Sequence, residues 1–154
     1  MKTRVNMGKT VPALYQAMLG MDQSAKQAAT DAGWTLGFCH LLYLRASQLN
    51  QCAFCMRMHA RDALASGESA DRLHVLPGWR ESSYFNAREQ AALRLVEAMT
   101  LVSVGQVPDT EYEAARAVLS DAEIAAVEWL AVVINGWNRI AIGSRYPVQP
   151  DSKP

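Results

Sequence analysis

SDAEIAAVEWLAVVINGWNRIAIGS, residues 120–144, is the stretch that decides the fold class. Ser120 and Glu123 have the spacing of a capping box, in which each side chain satisfies a backbone N–H at a helix start. Beyond them Ile124, Val127, Leu130, Val133, Ile134 and Trp137 belong to one long helix that is apolar around much of its girth. Such a helix is expected to be buried, in a core or at a subunit contact. It is not a membrane span: Glu128, Asn135, Asn138 and Arg139 interrupt it, and a span needs about 18–20 unbroken apolar residues.

The same period continues towards the N-terminus. Pro108-Asp109 opens a helix that ends near Leu119. Asn86 and Glu89 make a second capping-box pattern, and Ala91, Leu95, Ala98, Met99 and Val102 carry the 3.6-residue repeat to about Val102. A short helix over 69–75 precedes the turn signal Pro77-Gly78. Three more helices are expected over 11–29, 36–49 and 52–65, with Pro12 tolerated in a first turn. Gly33, the polar patch 47–51 and Gly67 punctuate them, and Pro147 and Pro150 end the chain in a short tail. Few segments alternate apolar and polar residues as strands do. The expectation is an all-α, single-domain helical bundle over 1–154, with its core at about 10–145.

Composition narrows the function classes. A chain of 154 residues, half of them apolar and 19% charged, can bury its own core and is not disordered. Fifteen basic residues balance fifteen acidic ones, so there is no electrostatic case for nucleic acid or an anionic membrane as partner. The same balance leaves little charge repulsion against self-association. The first ten residues carry Lys2, Arg4 and Lys9 without the apolar stretch of a secretory signal, so a soluble, cytoplasmic protein is expected. Three cysteines, an odd number, argue against a secreted disulfide framework. In a reducing compartment a C-x-x-C pair is catalytic or metal-binding more often than structural.

That pair is Cys52 and Cys55, with His59 four residues further on. On a helix these three positions share a face. Cysteine attacks as the thiolate, and a place in a helix's first turn, where N–H groups point outward, favours the anion. His59, one turn from Cys55 and two from Cys52, is better placed to take a proton from Cys55. Cys52 is then the resolving thiol. A peroxide would oxidise Cys55 to a sulfenic acid, Cys52 would condense with it, and an external thiol or protein reductant would reopen the disulfide. Two other readings of the residues stand beside this one. The cysteines could be small apolar fillers, or Cys52, Cys55, His59 and His40 could form a Cys₂His₂ zinc set if helices 36–49 and 52–65 fold back on each other. The same four groups would also serve a redox or metal sensor that does not turn over. The site is expected to hold neither a resident metal nor a cofactor.

The run from Leu44 to His59, LRASQLNQCAFCMRMH, resembles the carboxymuconolactone decarboxylase-like superfamily, and within it the alkylhydroperoxidase D-type branch. The resemblance extends through Gly67-Glu68, Arg72-Leu73, Trp79-Arg80, Phe85, Arg88-Glu89 and 91–93, and returns at 135–139. It implies an all-helical fold that assembles into trimers or larger rings such as hexamers, and thiol-dependent reduction of hydroperoxides. It also implies that the second cysteine of the motif, here Cys55, attacks the peroxide while the first, Cys52, resolves, with His59 assisting proton transfer. The decarboxylase branch lacks the cysteine pair, so its chemistry is not implied.

Two positions depart from the family pattern. Where a glutamate usually stands twelve residues before the first cysteine, this chain has His40. A His40–water–His59 relay is chemically open, though an imidazole stabilises a neighbouring imidazolium less than a carboxylate does, and two close histidines depress each other's basicity. Gln51 stands where the pattern often has glycine. Elsewhere, Cys39 is expected to be buried filler turned away from the dithiol, and His74 a surface residue. Trp79, Trp129, Trp137 and Tyr84 are expected to anchor a core or an interface, and Met56 and Met58 to pack beside the motif. Asn138 and Arg139 are polar groups in an apolar helix that need partners.

Overall fold

A computed structural model describes residues 3–151, which leaves Lys2 outside the described residues; among these every regular element is a helix. One turn, α1 (Met7–Thr10), capped by Asn6, precedes the stretch where the periodicity begins. Next come α2 (Pro12–Asp31), with Pro12 in its first turn, and α3 (Leu36–Leu49), whose N-cap Thr35 accepts from the Phe38 N–H. α4 (Ala53–Ala65) and α5 (Ala70–Val75) follow. The turn expected at Pro77-Gly78 is drawn out into a 3₁₀ helix, Leu76–Glu81. α6 (Ala87–Thr100) ends slightly early, and the chain tightens into α7 (Val102–Gly105). α8 (Asp109–Arg116) leads to α9 (Asp121–Ser144), and both capping boxes, Asn86/Glu89 and Ser120/Glu123, are formed.

The element enclosed on all sides is α3. It packs against α4, α6 and α9, and ten of its fourteen residues are buried. Leu41, Leu42 and Tyr43 are fully enclosed, and burial of each leucine side chain contributes roughly 1.5–3 kcal/mol. α9 lies chiefly against α2, α3 and α6, with smaller contacts to α1, α4 and α8. Trp129, Val132 and Ile142 are still about half exposed, because its apolar girth exceeds what the helices of one chain cover.

Two features fix the hairpin that brings α3 and α4 together. The chain leaves α4 through Gly67, which takes a left-handed backbone (φ +95°) open to glycine at no steric cost. Gly37 in α3 faces this bend so closely that an added Cβ would lie 3.0 Å from the Ser66 carbonyl oxygen. The C-terminal end of α3 is pinned to α9 by side-chain amides. The Asn50 Nδ2 donates to Asn135 Oδ1 (2.9 Å) and Asn138 Oδ1 (2.8 Å). The buried Asn138 amide donates in turn to Ser47 Oγ (3.0 Å), so the polar groups inside this apolar contact are satisfied. Arg139 lies at the surface and donates to the Asn135 carbonyl.

Candidate active site

The dithiol sits where α3 gives way to α4. Asn50 ends α3, Gln51 turns the chain in a left-handed conformation (φ +56°), and Cys52 is the N-cap of α4. Gln51 therefore holds the backbone shape that the family's glycine would adopt freely, at a strain cost of about 1–2 kcal/mol. The break between the helices survives the substitution. Cys52 lies one position before the first turn, where its Sγ accepts from the Cys55 N–H at 3.4 Å. The two cysteines are joined as a disulfide, with Cα atoms 5.3 Å apart, within the usual bridging range.

The two sulfurs face different surroundings. A cavity of about 260 Å³ opens beside Cys55 and His59, walled by Tyr15, Asp22 and Lys26 of α2, Asp62 of α4, Trp137 of α9, and Tyr146. Cys52 does not line it, although both cysteines share one small buried cluster with Ala141, on which Phe54 and Tyr146 pack. Met58 is a wall residue, whereas Met56 packs against the core.

His40 reaches this site from α3. Its Nδ1 lies 3.3 Å from the Nδ1 of His59, within reach of a direct hydrogen bond from one imidazole to the other. The rings stack at 28°, with Tyr43 edge-on to both. Asp62 brings its Oδ2 to 4.0 Å from His40 Nδ1 and 3.9 Å from His59 Nδ1. The Nε2 of His59 is buried and has no hydrogen-bond partner among the described residues. Behind the pair, the Tyr43 hydroxyl donates to Asp22 (2.8 Å) and Lys26 Nζ closes on the same carboxylate (2.7 Å).

Burial dominates the electrostatics. It holds the His59 pKa well below the ordinary imidazole value, helped by His40 and Lys26. His40 is lowered by burial and by Lys26, against the opposing pull of Asp62 and Asp22. Both rings are neutral at pH 7. The unfolded chain binds protons below about pH 6.5, where the native pair does not, so stability falls as the pH drops through that value. The melting temperature should decline between pH 7 and pH 5, and by less in a His40→Gln variant. An unchanged or rising melting temperature would contradict the buried, neutral pair.

The expected site residues thus divide. Cys55, His59 and His40 converge, while Cys52 is tied behind Cys55. The Cys₂His₂ ligand set is not assembled: the sulfurs are bonded to each other, and the residues whose ligand atoms converge are His40, His59 and Asp62. Cys39 is buried in the core as a free thiol, pushed up to about 11 by burial, as expected of filler. His74 is exposed on α5. Trp79 is buried and donates to Glu97, Trp137 walls the cavity, and Trp129 and Tyr84 are exposed. Sequence reasoning missed Asp62, although it sits three residues after His59 on the same helix. Tyr43, three residues after His40, had the same local signal. Asp22 and Lys26 had none, since only the packing of α2 brings them here.

The sequence profile of the carboxymuconolactone decarboxylase family matches residues 12–98, and the chain belongs to that family. The uncharacterized protein YdfG of Bacillus subtilis (strain 168) is 33% identical over 142 residues, which span 92% of this chain and 94% of YdfG. A solved structure from Agrobacterium tumefaciens superimposes with a TM-score of 0.85 at 36% identity, covering 96% of this chain and all of the other. That protein is of unknown function and has been suggested to be the antioxidant defence protein AhpD. Among the described residues no helix is long and apolar enough to cross a membrane.

Proposed function

We propose that the protein is a thiol-dependent peroxidase that reduces alkyl hydroperoxides by cycling Cys52 and Cys55 between dithiol and disulfide. One observation carries the reading: Cys55 shares a cavity with His59, while Cys52 lies off that cavity within bonding reach of Cys55. In the reduced protein, neutral His59 takes the Cys55 proton, and the thiolate attacks the terminal peroxide oxygen. The O–O bond breaks, Cys55 becomes a sulfenic acid, and the alkoxide leaves as the alcohol with the proton returned from His59. The Cys52 sulfur then displaces hydroxide from the sulfenic acid, closing the disulfide and releasing water. Two electrons from an external thiol or a protein dithiol reopen it. His40, hydrogen-bonded to His59, shares the proton that His59 holds.

The apolar part of the wall, with Leu19, Phe54, Met58, Trp137 and Ala141, suits the organic part of a hydroperoxide. The test is stopped-flow mixing of reduced protein with cumene hydroperoxide, which should consume two thiols per chain and leave the Cys52–Cys55 disulfide. Thiol loss no faster than that of free cysteine would defeat the proposal. The proposal includes self-association as a trimer or hexamer. The exposed Trp129, Val132 and Ile142 on α9 support it, and light scattering that reports a single chain in solution would oppose it.

A further inference from the structure

We propose that His40, His59 and Asp62 form a binding site for one zinc-type divalent cation, with no sulfur ligand and a fourth position open, which withholds His59 from its proposed role as base while the cation is bound. The ligand atoms are already gathered: two imidazole Nδ1 atoms and one carboxylate oxygen lie within 4.8 Å of one another. A tetrahedral zinc with bonds of about 2.0–2.1 Å holds its ligand atoms about 3.3–3.4 Å apart. The two Nδ1 atoms are 3.3 Å apart, and small rotations of the rings would turn both lone pairs onto a cation between them.

Asp62 Oδ2 stands 3.9 and 4.0 Å from the two nitrogens, so the carboxylate must close by about 0.6 Å. It is free to do so. The side chain is 45% exposed, and among the described residues these histidines are its only ion-pair partners. Two neutral nitrogens and one carboxylate make a borderline donor set, suited to zinc; calcium and magnesium prefer oxygen alone. Lys26, the cation nearest this cluster, is closed on Asp22 at 2.7 Å. His59 and Asp62 line the cavity and His40 does not, so the fourth position faces the cavity. Ligation through both Nδ1 atoms places the remaining ring protons on Nε2, and the unpartnered Nε2 of His59 is where such a proton would sit.

The proposal does not depend on peroxide chemistry, and its test keeps the two apart. Protein in the disulfide form, stripped with chelator, is titrated with Zn²⁺ in competition with a chromophoric chelator. One cation per chain is expected. Asp62→Asn, a change at a partly exposed side chain, should weaken binding about 10–100-fold. His40→Gln, checked for native circular dichroism, should abolish it. The double variant Cys52→Ser/Cys55→Ser should bind as wild type does. Co²⁺ in place of Zn²⁺ should give the visible absorption of a tetrahedral nitrogen–oxygen site without a sulfur charge-transfer band. The site is refuted by no stoichiometric uptake, by uptake indifferent to both Asp62→Asn and His40→Gln, or by loss of uptake with the cysteines.

Discussion

With Cys55 replaced by serine, the reduced protein should consume no cumene hydroperoxide beyond a thiol-free control. A serine hydroxyl has no accessible anion at neutral pH, and its oxygen does not accept an oxygen atom from a peroxide as sulfur does. Cys52→Ser should behave differently. Cys55 can still react once, so one equivalent of peroxide per chain disappears and turnover stops at a sulfenic acid that a dimedone adduct would trap. The contrast follows from placement: Cys55 is on the cavity wall and Cys52 is not. If Cys52→Ser were the dead variant, with Cys55→Ser giving the burst, the two sulfurs would have to exchange roles.

His59→Gln should lower the rate of thiol oxidation by about 10²–10⁴-fold at pH 7, the range typical of losing a positioned general base. Its pH profile carries the diagnosis. In the native protein burial keeps His59 neutral through the physiological range, so the form that can take a proton persists well below pH 6.5, as a weaker base than a free imidazole. Without it the rate must wait for Cys55 to ionise unaided, and should climb with pH towards the ordinary thiol range near 8.5. A variant slower by the same factor at every pH would point to misplaced packing instead of lost proton transfer. Since His59 is fully enclosed beside Tyr43, the loss should be read only where circular dichroism is native.

Much of this molecule is legible in its sequence because the signals are local. A capping box is a contact between residues three apart, and both boxes formed where Asn86/Glu89 and Ser120/Glu123 predict them. The break before Cys52 is visible in the polar patch, and the pairing of His40 with His59 follows from two helices joined by a short turn. Less was legible where the cause is distant. Apolar periodicity marks α9 as buried but does not say how much of its girth other helices reach, and Trp129 remained outside. Asp22 and Lys26 join the site through the path of α2, which no spacing encodes. The direct contact between the imidazoles was not legible either, because neither spacing nor residue type says how closely α4 approaches α3.

The disulfide at the head of α4 closes a ring only four residues long. Cross-links restrain the unfolded chain in proportion to the logarithm of the loop they close. In the chain-entropy account this one contributes about 2 kcal/mol, where a loop of about a hundred residues would contribute nearly 5. Opening it disturbs a helix cap and little else, since α3 and α9 are held together through Asn50 and Asn138 regardless of sulfur chemistry. In the proposed cycle, each oxidation and reduction would then be confined to one turn of one helix.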